Sequence, residues 1–268
     1  MYGHNKSPYI KNFTYINCLK NKFYQSTKED SCSGYFDIRL ECISDLYIGS
    51  GLAGGIDNFF YECVKYDKKP FIPGSSLKGA VRNIAEIVSY NCCNVDKYDK
   101  ENKCTTDNHC IICDSFGMMG FASKVIFGNL MPENFTVNIR SLNKQYQPKE
   151  NKGSFKEYKS HVNTYKANEQ IRVEVVEKGS VFCGRLYFKK LTHIQLSLLL
   201  FSFGIDETIC LRLGGYKNDG LGVVRVTVTD FIVNGDKADA KAEAEKYYHD
   251  SDNSIKNNID ELRKVLMP

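Results

Sequence analysis

The sequence predicts an α+β fold of the ferredoxin-like type, ordered strand, helix, strand, strand, helix, strand and carrying insertions. Three patterns support this. Phe36, Ile38, Leu40 and Cys42 alternate with Asp37, Arg39 and Glu41, the period of a strand with one buried face. Leu77, Val81, Ile84 and Val88 recur at helical spacing. Ile171, Val173 and Val175 then open a second strand set, which leads into an almost wholly apolar helix over residues 191–203.

Taken in order, residues 1–33 are polar, without sustained periodicity, and read as an irregular arm. After the first strand come a glycine-rich loop at 49–58 and a short aromatic strand at 59–64. Pro73-Gly74-Ser75-Ser76 reads as a turn ending in an N-cap residue, followed by a helix over roughly 75–90. Residues 91–124 read as a cysteine- and glycine-bearing loop, and a strand is expected near 124–130. The polar stretch 131–168, rich in Lys and Tyr, reads as an insertion, because structureless loops beyond ~15 residues are uncommon unless they do something. The second strand set is expected to turn at 177–180 and return along 181–188. A second glycine-rich loop covers 214–222, a closing strand runs over 223–233, and 236–266 reads as a charged helical tail. The chain thus divides into an arm (1–33), one domain (34–233, with insertions at 91–124 and 131–168) and a tail (234–268). The same element order is used by RNA-recognition motifs, although a fold alone does not establish function.

With 42% hydrophobic residues among 268, a packed core is feasible. The 36 basic and 32 acidic side chains leave a net charge of +4, so any nucleic-acid surface must be local. The first residues, Met1 to Lys6, lack the charged and apolar regions of a signal peptide, and no apolar run approaches the ~20 residues that span a bilayer. A cytoplasmic protein without a membrane partner is expected.

Eleven cysteines are many for this length, and five lie between Cys92 and Cys113. Cys104, Cys110 and Cys113 form C-x5-C-x2-C, and a fourth sulfur or nitrogen ligand would complete a tetrahedral Zn²⁺ site. Cys93 is the preferred fourth ligand, with Cys92 and His109 as alternatives, and the role would be to staple a loop with little core of its own. Cys18, Cys32, Cys42, Cys63, Cys183 and Cys210 are scattered and read as small buried hydrophobes.

The stretch Phe71-Ile72-Pro73-Gly74-Ser75-Ser76-Leu77-Lys78-Gly79-Ala80-Val81-Arg82 opens a helix whose free N–H groups favour an anion. Lys78 and Arg82 are one turn apart on the same face, and Ser75 stands at the entrance. An ordinary capped helix with solvated cations fits the same residues. In the loop Gly214-Gly215-Tyr216-Lys217-Asn218-Asp219-Gly220-Leu221-Gly222, glycines let the backbone approach a phosphate, Lys217 and Arg225 add charge, and Tyr216 offers a stacking face. Lys144, Lys149, Lys152, Lys156, Lys159 and Lys166 alternate with Tyr146, Phe155, Tyr158 and Tyr165, a composition suited to RNA backbone and splayed bases and equally to a solvated loop.

Three segments, in order, resemble the RAMP superfamily (repeat-associated mysterious proteins) of type III CRISPR effector complexes. "IPGSSLKGAVR" is similar to its signature helix, "IGSGLAGGIDN" at 48–58 to the loop after the first strand in backbone subunits, and "LGGYKNDGLGVVRV" at 213–226 to its glycine-rich loop. The resemblance covers about 34–233. It implies that Ser75, Lys78, Arg82, Gly214, Gly215, Tyr216 and Lys217 bind the guide-RNA backbone, and that a projecting hairpin bearing Lys156, Tyr158 and Lys159 crosses the guide–target duplex. It further implies that Asp57 helps Mg²⁺ and the scissile phosphate of complementary target RNA to meet, and that the partners are copies of this chain or related RAMP subunits together with large and small subunits. Relatives carry a comparable zinc loop before a Phe-Gly pair, here Phe116-Gly117. They often follow it with a strand like Phe-Ser-Asp, where this chain has Phe127-Gly128-Asn129, which departs from the pattern. The alternatives are a non-catalytic binding or capping subunit, and a guide-processing ribonuclease. The latter would want a histidine base, and His4, His109, His161, His193 and His249 are widely scattered.

Overall fold

The computed structural model describes residues 12–25, 31–55, 58–92, 103–145, 153–162 and 169–268. Its first half contains β1 (Phe13–Asn17), β2 (Ser31–Cys42), β3 (Gly49–Gly54), β4 (Phe60–Cys63), β5 (Lys65–Tyr66), β6 (Lys69–Pro70), α1 (Gly74–Ile87) and α2 (Ile111–Phe116). There follow β7 (Val125–Phe127), β8 (Met131–Asn134), β9 (Val137–Asn143), β10 (Ser154–Tyr158), β11 (Gln170–Val176), β12 (Val181–Thr192) and α3 (His193–Ser202). The chain ends with β13 (Leu211–Arg212), β14 (Val223–Val233), β15 (Asp236–Lys237), α4 (Ala240–Asp250) and α5 (Asn253–Val265).

The main sheet has the path β13-β14-β2-β12-β7, every pairing antiparallel. Numbering the four long-range strands β2, β7, β12 and β14 as one to four gives the spatial order four-one-three-two. With α1 after the first and α3 after the third, this is the ferredoxin-like arrangement. Phe36, Ile38 and Leu40 on β2 and Leu186 and Phe188 on β12 are buried, as the alternation required. They pack with Leu77, Val81 and Ile84 of α1 and with α3, from Leu196 to Phe201, in one core. Thr192 and Gln195 close a capping box at the start of α3, which is why so apolar a helix begins sharply there. The opposite face of β2 and β12 stays open, with Tyr35 and Tyr187 side by side (ring centroids 6.2 Å) and Arg185 over the Tyr35 ring.

Four expectations are corrected. The glycine-rich stretch from residue 49 is a strand, β3, paired with β4 from Gly49↔Cys63 to Gly54↔Phe60, because its small residues suit a sheet edge as well as a loop. The return at 177–180 is not a hairpin. β11 belongs to a second, four-stranded sheet, β3-β4-β11-β9, and the turn carries the chain from that sheet into the main one. Residues 131–168 are not structureless, since β8 edges the main sheet and β9 pairs with all seven residues of β11. The polar arm contains β1, which pairs with β10 through five residues and buries Phe13 and Ile16.

The tail packs back on the fold. Tyr247 of α4 lies against Phe201 of α3 and donates its hydroxyl to the Val88 carbonyl, while Ile259 and Leu262 of α5 are fully buried. No helix among the described residues is long and apolar enough to cross a membrane.

Candidate nucleic-acid interface and metal centre

Helix α1 begins one residue earlier than its sequence suggests, with Pro73 in the cap position and no side-chain cap from a serine. Asn129, beyond β7, supplies the cap instead, its Oδ1 accepting the Gly74 N–H at 2.9 Å. Glycine is required at 74, because a Cβ would strike the Phe127 carbonyl. The Ser75 and Ser76 amides then lie in the first turn, outside the i→i−4 ladder, and the Ser75 side chain is exposed. Lys78 is half-buried, and burial, then Arg82, pushes its ammonium pKa down. Arg82 does not project as a free cation beside it. Its guanidinium binds Glu86 at 2.7 Å and the Gly117 carbonyl at 2.9 Å, fastening α1 to the end of α2.

The glycine-rich loop is held rigidly. Gly215 N–H donates to the Tyr47 carbonyl (2.9 Å) and Gly222 N–H to the Asp45 carbonyl (2.8 Å). At Gly222, φ is 83° and a Cβ would collide with the Leu213 carbonyl, so no other residue fits there. Lys217 opens a short 3-10 turn to Asp219, whose carboxylate accepts from the Asn143 side chain at 3.0 Å. Below the loop, Arg212 is 2% exposed and donates to the carbonyls of Lys217 (2.6 Å), Lys159 (2.8 Å) and Ser160 (3.4 Å). Burial pushes its guanidinium pKa down to about 10, an effect opposed by Glu157.

Lys156, Tyr158 and Lys159 stand on β10 and just after it, and β10 is not a projecting hairpin but a strand laid on β1. Its alternation explains why. Glu157 faces inward at 2% exposure and accepts from Asn83 of α1 (2.8 Å), while Lys156 crosses the Phe13 ring at 4.0 Å. Lys217 is half-buried, and burial pushes its ammonium pKa down, an effect that Glu157 opposes. Lys149, Lys152, Lys166, Tyr146 and Tyr165 lie outside the described residues, as does Asp57; β3 and β4 pair on either side of Asp57.

The four thiols of Cys92, Cys104, Cys110 and Cys113 all lie within 4.8 Å of one another. Cys92 joins the three predicted ligands; Cys93, the preferred fourth ligand, lies outside the described residues. His109 is not part of the group and stacks on Phe121 at 4.2 Å. Sulfurs about 2.3 Å from one tetrahedral Zn²⁺ would sit roughly 3.8 Å apart. The Cys92–Cys113 and Cys92–Cys110 separations, 3.5 and 4.0 Å, bracket that spacing. The Cys110 N–H points at Cys104 Sγ (3.1 Å) and the Cys113 N–H at Cys110 Sγ (3.5 Å), amides that favour thiolate. The donor set therefore fits a structural zinc-type ion. Of the other cysteines, Cys32, Cys42, Cys63 and Cys210 are buried as expected, whereas Cys18 and Cys183 are partly exposed.

The sequence profile of the RAMP superfamily matches residues 39–225, from within β2 to within β14. The chain belongs to the RAMP superfamily. No curated protein sequence matches it. Membership makes it a CRISPR-associated RNA-binding protein, of a class that works with CRISPR RNA and other subunits.

In this RAMP protein the residues that sequence reasoning missed are two inward-facing ones, Arg212 and Glu157, and one exposed helix cap, Asn129. Arg212, Glu157 and Asn129 carry no motif, and the only hint was an acid set among alternating lysines and tyrosines at 157. Burial raises the Glu157 carboxyl pKa, and Lys217 and then the Tyr158 N–H offset part of that. A raised folded-state pKa means that the folded chain holds this proton more tightly than the unfolded one. Glu157 thus costs nothing below the ordinary carboxylate range and subtracts stability as pH climbs through the raised value. Glu157→Gln is expected to flatten the fall in Tm from acid to neutral pH, and thermal melts across that range would contradict this if both profiles had equal slopes. For the metal centre, elemental analysis is expected to find about one tightly held zinc per chain, lost in Cys110→Ser or Cys113→Ser and kept in Cys210→Ser. Metal retained by the first two variants would contradict the four-thiol site.

Proposed function

We propose that this RAMP protein is a backbone-type subunit of a type III CRISPR interference complex, which binds the guide RNA and cleaves complementary target RNA. One observation carries the reading: the three resembling segments converge. The glycine-rich loop is bonded to Asp45 and Tyr47, just before the segment 48–58 that contains Asp57. Helix α1 reaches the same cluster through Asn83, which donates to Glu157 of β10, and Arg212 ties the end of β10 to the loop through the Lys159 and Lys217 carbonyls.

In this reading, Ser75 and Lys78 at the start of α1 bind guide phosphates beside Gly214 and Gly215, where the missing side chains let the RNA backbone come close. Lys156, Tyr158 and Lys159 add cation and aromatic contacts along the neighbouring edge. Arg82 acts from behind, fixing α1 to α2, and Lys217 adds positive charge within the loop. The Zn²⁺ of the cysteine cluster is structural. Neighbouring copies or related RAMP subunits, and the large and small subunits of the complex, are the protein partners.

The Asp57 carboxylate would hold Mg²⁺, which would supply stabilisation of the negative charge that develops on the scissile phosphate. The adjacent 2′-hydroxyl would lose its proton to solvent as its oxygen bonds to phosphorus, and the 5′-oxygen would take a proton from solvent as its bond to phosphorus breaks, leaving a 2′,3′-cyclic phosphate and a 5′-hydroxyl. The test is cleavage of guide-complementary RNA by the reconstituted complex with Mg²⁺, comparing wild type with Asp57→Ala. Loss of regularly spaced cuts with target binding retained is expected. Cutting by the variant at the wild-type rate would leave a binding or capping subunit.

A further inference from the structure

The glycine-rich loop does not end at its own backbone. Tyr216 stands in it with φ at 55° and meets Tyr47 edge to face, ring centroids 5.4 Å apart. With Leu221 these two tyrosines cover Val173 and Val175 of β11, which are fully buried beneath them. Val173 pairs in register with Tyr61 of β4, so Tyr61 projects from that same face of the second sheet. Tyr61 meets Phe59, two residues earlier, edge to face at 5.2 Å. The rings therefore run from a packed pair, Tyr47 and Tyr216, to an outer pair left in solvent, with Phe59 57% exposed and Tyr61 40% exposed.

The neighbours on the edge strand leave these rings open. Ala53 is the β3 residue paired with Tyr61, and Gly54 the one paired with Phe60, so no large side chain of β3 shields the outer pair. Arg140 of β9 pairs with Val173 from the other side and lies in the same row, its guanidinium held by Asp45 (3.0 Å) and Glu177 (2.8 Å). Two exposed rings are far too little surface for a stable protein interface, which needs about 1,000 Å² or more. One such ring matches the face of a nucleobase, with the second ring, at 84° to it, meeting the base edge, and the row continues directly from the glycine-rich loop.

We propose that Phe59 and Tyr61, backed by Tyr47 and Tyr216, form a stacking platform for an unpaired RNA base. The proposal rests on the RNA-binding reading above and adds to it a base-binding subsite on the second sheet. The phosphate-binding groups hold the strand, and the aromatic row takes a base that has left its stack.

The experiment uses the full-length chain and a fluorescein-labelled single-stranded RNA, alongside the same RNA carrying abasic nucleotides. Phe59→Leu/Tyr61→Leu keeps apolar bulk but removes both π faces, and its affinity is expected to fall by between about fivefold and 150-fold. The salt dependence should stay unchanged, since no phosphate contact is lost. On abasic RNA the variant and wild type should bind alike. Tyr61→Phe, which keeps the ring, should retain wild-type affinity and serves as the control for folding. Equal binding of intact RNA by wild type and the double variant would overturn the platform while leaving the RNA-binding reading standing. If that variant instead lost association with related RAMP subunits, the rings would be a protein contact. Wild type that binds no RNA would overturn both.

Discussion

The guanidinium of Arg212 is 2% exposed, and an arginine cannot shed its charge at any ordinary pH, so the groups around it have to face inward. Three carbonyls do so, from Lys159, Ser160 and Lys217. Leaving such a cation without partners would cost several kcal/mol. Two pieces of chain that are distant in sequence, the end of β10 and the glycine-rich loop, are thereby held to one point. Glu157 extends the cluster to α1 through Asn83. The β1–β10 pair, the signature helix and the glycine loop cannot shift independently while this cluster is intact.

That rigidity bears on RNA binding because a phosphate site made of backbone amides works only if the amides are already aimed. The glycines remove side chains from the loop, and the Asp45 and Tyr47 carbonyls then fix its path. The helix is braced at both ends. Asn129 caps its start, and Cys92, shortly after its end, joins the thiol cluster that anchors α2. Arg82 makes a second bridge to the same region through Gly117. The metal centre thus steadies the helix whose opposite end faces the proposed guide RNA.

Much of the main domain was legible from periodicity. β2 and β14 declare themselves by alternation, α1 by its helical spacing, and α3 by an apolar run bounded by Thr192, because each buries one face against the same core. The second sheet was not legible. Its edge strand β3 is written in glycine and alanine, which have no face to alternate, and β9 exposes most of its residues. The turn at 177–180 looks like a hairpin because its chemistry is local, whereas the destination of the following strand is decided by contacts with β2 far away in sequence. At the site, residue types revealed which side chains carry chemistry but not which way they point. Arg82 looks like a phosphate ligand and is bonded to Glu86, Lys217 is half-buried, and residue spacing alone does not single out Cys92 as the thiol that joins the cluster.

Two surfaces of this fold offer aromatic rings to RNA: the rim formed by α1, the glycine loop and the second sheet, and the open face of the main sheet with Tyr35 and Tyr187. On the open face Arg185 is paired with Asp37 and Arg39 with Glu133, which leaves fewer cations beside Tyr35 and Tyr187 for phosphates. Ultraviolet crosslinking of the RNA-loaded complex, followed by mass spectrometry of the peptides, separates the two. Crosslinks at Tyr216, Phe59 or Tyr61 and near Lys78, with Tyr35 and Tyr187 unmodified, are the predicted result. Crosslinks concentrated at Tyr35 and Tyr187 would contradict it and move the RNA to the other side of the molecule.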